Sequence, residues 1–270
     1  MREINLNLAD LEPIQGHTSK GDQPKWQKDG YWYKADHMGY ESLAETVVSR
    51  LLKKSNVPNF VSYEPVKIIY GDKLLNGCES KNFRGHSDML IPFERLHRAH
   101  FGLGLARSLT QLYEPEDKID YTVRFIESAT GLTDVGQYLT MMLQLDAFIL
   151  NEDRHTNNLA VIRDEKSLAF KLCPVFDQGL SLLSDLNDYP LDADMYQLIE
   201  KVQAKPFDPS FDNQMEAAMN LYGSQLELYF TRHDIRDALN DFNGMYAPEI
   251  IDRVQRVLFE QMRKYSFLFS

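Results

Sequence analysis

The chain has 270 residues, 43% of them hydrophobic and 26% charged, which excludes extended disorder and leaves room for one large domain or two modest ones. Twenty-nine Lys and Arg face forty Asp and Glu for a formal net charge of −11, a balance that repels phosphate backbones and anionic lipid, so no direct nucleic-acid partner is expected. Cys78 and Cys173 lie far apart and define neither a disulfide framework nor a zinc site; with no signal-like N-terminus and no long apolar run, the expected home is the cytoplasm, without a membrane span.

In chain order, the first thirty residues are polar and turn-rich and read as loop. Tyr31–Asp36 is a β-favouring run that carries Lys34. Glu41–Lys54 places Leu43, Val47 and Leu51 on one stripe and predicts an amphipathic helix. Two or more antiparallel strands follow between Phe60 and Phe83, so the N-terminal part reads as a small α+β lobe. The remainder is mainly helical, with helices expected over Gln137–Leu150, Asn213–Phe230 and Pro248–Tyr265. One hairpin interrupts it, Asn158–Asp164 and Leu168–Asp177 joined by a short polar turn, while Asp185–Asp212 shows no clear pattern.

The segment LDAFILNEDRHTNNLAVIRD runs from helix through polar loop to strand and carries Asp153, Arg154, His155 and Asn158; Asp177 follows just beyond the hairpin in FDQG. Phosphoryl transfer needs a carboxylate to orient the attacking hydroxyl, and an amide oxygen and a second carboxylate to hold Mg²⁺. Asp153, Asn158 and Asp177 suit those roles in that order. An isolated Asp and Asn five apart more often cap a turn; the hairpin leading to Asp-Gln-Gly favours the catalytic reading. Ahead of the Lys34 strand, Ser19–Lys25 (SKGDQPK) offers backbone N–H groups around Gly21 and the charge of Lys25 to phosphates. Lys34 would pair with Glu41 or Glu45, which share a helix face; spacing does not choose between them, and the reading leans to Glu41. His155 reads as loop support, and Asp146, inside an apolar helix, needs buried partners and would tie the loop to that helix.

Taken together, SKGDQPKWQKDGYWYKAD, GYESLAETVVSRLL, GCESKNF, NEDRHTNNLAVI and PVFDQGLSLL resemble the HipA-like serine/threonine kinases, and most closely their stand-alone CtkA-type members. The resemblance implies an α+β, two-lobed protein-kinase-like fold akin to the phosphoinositide kinases, with a small mixed N-lobe (1–84) holding an antiparallel sheet and a larger helical C-lobe (85–270). It implies ATP and Mg²⁺ as cofactors, with adenine at a hinge between Cys78 and Arg84. Ser19, Gly21, Asp22, Gln23 and Lys25 fall on the phosphate-binding loop, Lys34 on the nucleotide-contacting lysine, Asp153 on the catalytic aspartate, and Asn158 and Asp177 on the metal ligands. Thr18 or Ser19 would be the site of autophosphorylation, which in some relatives expels the loop. The substrate is expected to be a protein hydroxyl, and an antitoxin-type partner is not expected, because the chain starts almost at the nucleotide loop.

Two other functions use the same features. A nucleotide-binding pseudokinase would act through a partner surface, although a pure scaffold has no need of the complete acidic and amide set. A transferase on the same scaffold would use a non-protein acceptor, since fold does not fix the acceptor.

Overall fold

The computed structural model describes residues 2–10 and 23–270, so Thr18, Ser19, Gly21 and Asp22 lie outside the described residues. The opening stretch, expected to be loop, holds two strands, β1 (Arg2–Leu6) and β2 (Lys25–Lys28). Both are short edge strands whose inward-facing residues, Ile4 and Leu6 on β1 and Trp26 on β2, give too brief an alternation to stand out. Asp29 and Gly30 then turn the chain at φ of 51° and 79°, the primed hairpin geometry that Asp-Gly favours, into β3 (Tyr31–Ala35).

After α1 (Glu41–Leu52) come β4 (Tyr63–Tyr70) and β5 (Lys73–Lys81). The five strands form a sheet of order β1-β4-β5-β3-β2, parallel only where β1 meets β4. Leu6, Trp26, Tyr33, Ala35, Val66 and Ile68 form the core on one of its faces. The chain continues through β6 (Asp88–Pro92), α2 (Phe93–Phe101), α3 (Leu105–Leu109), α4 (Pro115–Thr130), α5 (Val135–Ile149), β7 (Ala160–Asp164) and β8 (Phe170–Leu172). It ends with α6 (Met195–Lys201), α7 (Phe211–Tyr222), α8 (Arg232–Leu239) and α9 (Pro248–Lys264).

These elements divide into two compact units. The first comprises Met1–Phe83 with Asp177–Val202 and Glu227–Ser270; the second comprises Arg84–Phe176 with Gln203–Leu226. In the first, α1 is not the half-solvated helix its stripe suggested: every residue but Arg50 is buried, and its polar side chains are satisfied inside, Thr46 Oγ1 donating to the Ser42 carbonyl (2.8 Å) and Tyr63 N–H to Ser49 Oγ (3.0 Å). The later segments pack with this helix and its approach. Tyr40 Oη donates to the Leu182 carbonyl (2.8 Å), and Arg50 Nη1 to the Ala238 carbonyl (3.0 Å).

In the second unit β6, β7 and β8 form an antiparallel sheet, and α5, buried everywhere but at Gln137, packs on α7 and α4. Gly136 is what lets α5 approach α7, because a Cβ there would sit 2.5 Å from the Tyr222 ring. Two expected elements are shorter than their apolar runs. The second hairpin strand stops at Leu172 because Pro174 has no N–H to continue a ladder, and the helix expected to Phe230 stops at Tyr222, where Gly223 takes φ +74°. The unpatterned Asp185–Asp212 contains α6, capped by Asp194 through the Gln197 N–H (3.0 Å). Among the described residues no helix is long and apolar enough to cross a membrane.

Candidate active site

In the first unit, chemistry gathers around Lys34. β3 turns its side chain inward, where Nζ donates to Glu45 Oε1 and to Asp177 Oδ1 (2.6 Å) and lies 5.3 Å from the centre of the Tyr63 ring. Glu45 is held in turn by the Gln178 N–H on its other oxygen (2.8 Å). Burial opposes a charge on Lys34, but the carboxylates of Asp177 and Glu45 outweigh it and hold the ammonium well above its ordinary pKa. One cation thus faces two carboxylates, and the side chain of Asp177 is 24% exposed while that of Glu45 is sealed. Asp177 takes φ +63°, in the left-handed region, and the next-but-one residue, Gly179, lies where a Cβ would come 3.3 Å from Glu41.

The lean to Glu41 as the lysine's partner is corrected: the partner is Glu45. Glu41 instead closes the start of α1, accepting the N–H groups of Met38 (2.7 Å), Gly39 (3.1 Å) and His37 (3.2 Å). Lys25 on β2 stands opposite Lys34 in the antiparallel register, so two ammonium-bearing side chains emerge on one face. Like charges so placed disfavour each other unless anions offset them, as Glu45 and Asp177 do at Lys34. Gln23 adds a buried amide nitrogen without a hydrogen-bond partner among the described residues. Cys78, at one end of the expected hinge, pairs with Lys34 on the other flank, and burial pushes its thiol far up.

In the second unit the polar loop after α5 hangs from a buried ion pair. Leu150 ends the helix at φ +57°, and Arg154 folds back to grip Asp146 with both prongs, Nε to Oδ2 (2.9 Å) and Nη2 to Oδ1 (3.0 Å), with neither side chain exposed. Asn151 Nδ2 adds a third bond to Asp146 (2.9 Å). Burial pushes the Asp146 carboxyl above its ordinary range, and Arg154 and Asn151 oppose that shift. Arg154 Nη1 also donates to the Phe176 carbonyl (3.1 Å), so the same guanidinium fixes the chain immediately before Asp177.

On that frame the side chains have defined directions. Asn158 donates its Nδ2 to the Asp153 carbonyl (2.8 Å), which fixes the orientation of its amide and leaves Oδ1 as its acceptor oxygen. His155 donates its backbone N–H to the same carbonyl (2.8 Å) and accepts the Asn157 N–H on Nδ1 (3.2 Å), the loop-holding role expected of it. Asp153 lies 3.5 Å from Lys205 Nζ and 3.7 Å from His155 Nε2. Lys205 escaped the sequence reading, since nothing local to KPF points to a loop so far back in the chain.

Among the described residues no three His, Cys, Asp or Glu side chains cluster as a metal cage. Mg²⁺ does not require one, being held by one or two carboxylates together with substrate phosphates and water; in the first unit the part-exposed carboxylate of Asp177, and separately in the second the amide oxygen of Asn158, are hard oxygen donors by type.

No family model and no curated protein matches the chain. Solved structures do. The proinflammatory kinase CtkA of Helicobacter pylori superposes with a TM-score of 0.61 at 14% identity, over 97% of this chain and 94% of that one. HipA of Shewanella oneidensis MR-1, solved with HipB and its operator DNA, superposes with a TM-score of 0.50 at 11% identity, over 96% of this chain and 67% of that one. The α+β arrangement of this chain is therefore the fold shared by CtkA and HipA, the HipA-like kinase fold.

Proposed function

We propose that the chain is a HipA-like kinase that transfers the γ-phosphoryl group of ATP to serine or threonine hydroxyls of a protein. The observation that carries this reading is the buried Lys34 shared by Glu45 and the part-exposed Asp177: a lysine fixed in position and charge, beside a carboxylate able to leave it for a cation. Lys34 and Lys25 would hold phosphates, Asp153 would orient the acceptor hydroxyl and take its proton, and Asn158 and Asp177 would hold Mg²⁺, which neutralises phosphate charge when bound. Arg154 acts through the loop, keeping Asp153 and Asn158 in register.

The test is intact mass of wild type and Asp153→Asn after incubation with Mg-ATP, together with phosphate release and peptide mapping. Wild type should gain phosphoryl groups or transfer them to added protein, with Thr18 or Ser19 as the proposed acceptor in the chain itself. Asp153→Asn should lose transfer by about 10²-fold or more while still binding ATP, and Asp177→Ala should weaken Mg-ATP binding itself. ATP binding with no turnover in wild type would replace this reading by the pseudokinase, and an adduct of AMP mass would replace it by a nucleotidyl transferase.

A further inference from the structure

We infer that the second unit carries a docking groove for a basic segment of a partner protein, one that brings an arginine or lysine together with an aliphatic or aromatic side chain. The inference concerns binding and does not rest on the kinase reading. A groove of about 620 Å³ opens between α2 and α4, walled by Phe101, Leu112, Tyr121 and Phe125, all within the stretch Arg84–Phe176. The Phe101 ring packs 4.8 Å from His97 and 5.5 Å from Phe125, centre to centre, and yet Phe101 stays 62% exposed. Tyr113, next to Leu112 in the chain, is 91% exposed. Single exposed apolar residues are ordinary, whereas several gathered at one concavity mark a binding surface.

His97 decides what the groove can bond. It is buried, with Nδ1 2.6 Å from the Leu103 carbonyl and Nε2 2.7 Å from Tyr121 Oη. A carbonyl only accepts, so Nδ1 carries the ring's proton and Nε2, in the neutral ring, takes the hydroxyl hydrogen of Tyr121. The phenol oxygen then has only lone pairs left to offer, and any further partner it takes must be a donor.

The charges select the sign of the occupant. Asp117, Asp120 and Arg124 also line the groove, and Arg124 Nε already bonds Asp120 (2.9 Å), which leaves the exposed Asp117 outside that pair. Along α4 stand Glu116 and Glu127 as well, while the helix's other cation, Lys118, is drawn away to the Phe207 carbonyl (2.8 Å). Carboxylates, an accepting phenol oxygen and aromatic rings are the groups that favour an ammonium or a guanidinium. The same charge weighs against other occupants: at a formal net charge of −11 a second copy of this chain is repelled, as are phosphate backbones and anionic lipid.

The experiment selects a phage-displayed library of short random peptides on the full chain, then measures Kd of the most enriched peptide for wild type, Phe101→Ser and Asp117→Lys, with thermal unfolding of each. Enriched sequences should combine arginine or lysine with an aliphatic or aromatic residue, and binding should weaken as salt is raised. Each substitution should weaken binding about tenfold. Both replaced residues are exposed, so if one variant unfolds the other decides. No enriched peptide, an enriched set without basic residues, or a Kd unchanged in either folded variant would overturn the inference. A wild-type dimer in sedimentation equilibrium that Phe101→Ser dissolves would also overturn it, by giving the groove to a second copy.

Discussion

Asp36 stands between β3 and α1 with both carboxylate oxygens engaged, Oδ1 by the Ser42 N–H (2.7 Å) and Oδ2 by the Tyr246 hydroxyl (2.6 Å). Burial pushes its carboxyl up to about 7, against the pull of those two bonds. An unfolded Asp titrates near 3.9, so between about pH 4 and pH 7 the folded chain holds a proton that the unfolded chain has lost. The stability this group contributes is complete below about pH 4 and declines as pH rises through about 7. Asp36→Asn keeps both hydrogen bonds and removes the titration. The urea midpoint of wild type should therefore fall relative to that of the variant between pH 5 and pH 8; a constant difference would show that the carboxyl ionises normally. The same scale shows what a sequence discloses about a site. Asp153, Asn158 and Asp177 stand out as candidates because they are oxygen-bearing side chains in a polar loop and just past a hairpin, where catalytic side chains concentrate. The choice of Glu45 over Glu41 is not, because residues four apart share a helix face and only the backbone N–H groups of residues 37–39, converging on Glu41, break the tie.

Among the elements, the contact of β3 with β5 depends on Gly77. A Cβ there would lie 2.4 Å from Ile68 Cδ1 and 2.7 Å from the Lys34 carbonyl, and the second of these is backbone that cannot rotate away. Gly77→Ala should destabilise the protein by about 1–3 kcal/mol, read from denaturant unfolding, because the strand bearing Lys34 must shift to admit the methyl group. An unchanged stability would mean that the sheet yields without loss. Elements whose apolar period runs over many residues, such as α5 and α9, were legible. The edge strands β1 and β2 were not, since each buries one side of a four- or five-residue run, and α1 showed its stripe but not that its polar side is also inside. Ends were misjudged where a single residue decides them, Gly223 after α7 and Pro174 after β8.

For the whole molecule, the first unit is drawn from three stretches of chain, and the last of these is indispensable to the first. Lys54 Nζ pairs with Asp234 (2.5 Å), Arg50 with Asp241 (2.9 Å), and Leu228 bridges both Ser55 and Phe269. A fragment of residues 1–84 would expose the buried face of α1 and leave Asp36 without Tyr246. We expect it to remain unfolded, with collapsed amide dispersion in its NMR spectrum; well-dispersed resonances would show that the sheet and α1 suffice. The two cysteines bear on the same division. Cys78 belongs to the first unit and Cys173 to the second, both are buried, and burial pushes both thiols up, that of Cys173 to about 12. A thiol so placed is almost wholly unionised and out of reach of an alkylating reagent until the structure around it opens. Each unit therefore carries its own chemical clock: the rates at which the two sulfurs are labelled report, separately and without any engineered probe, how often each unit comes apart.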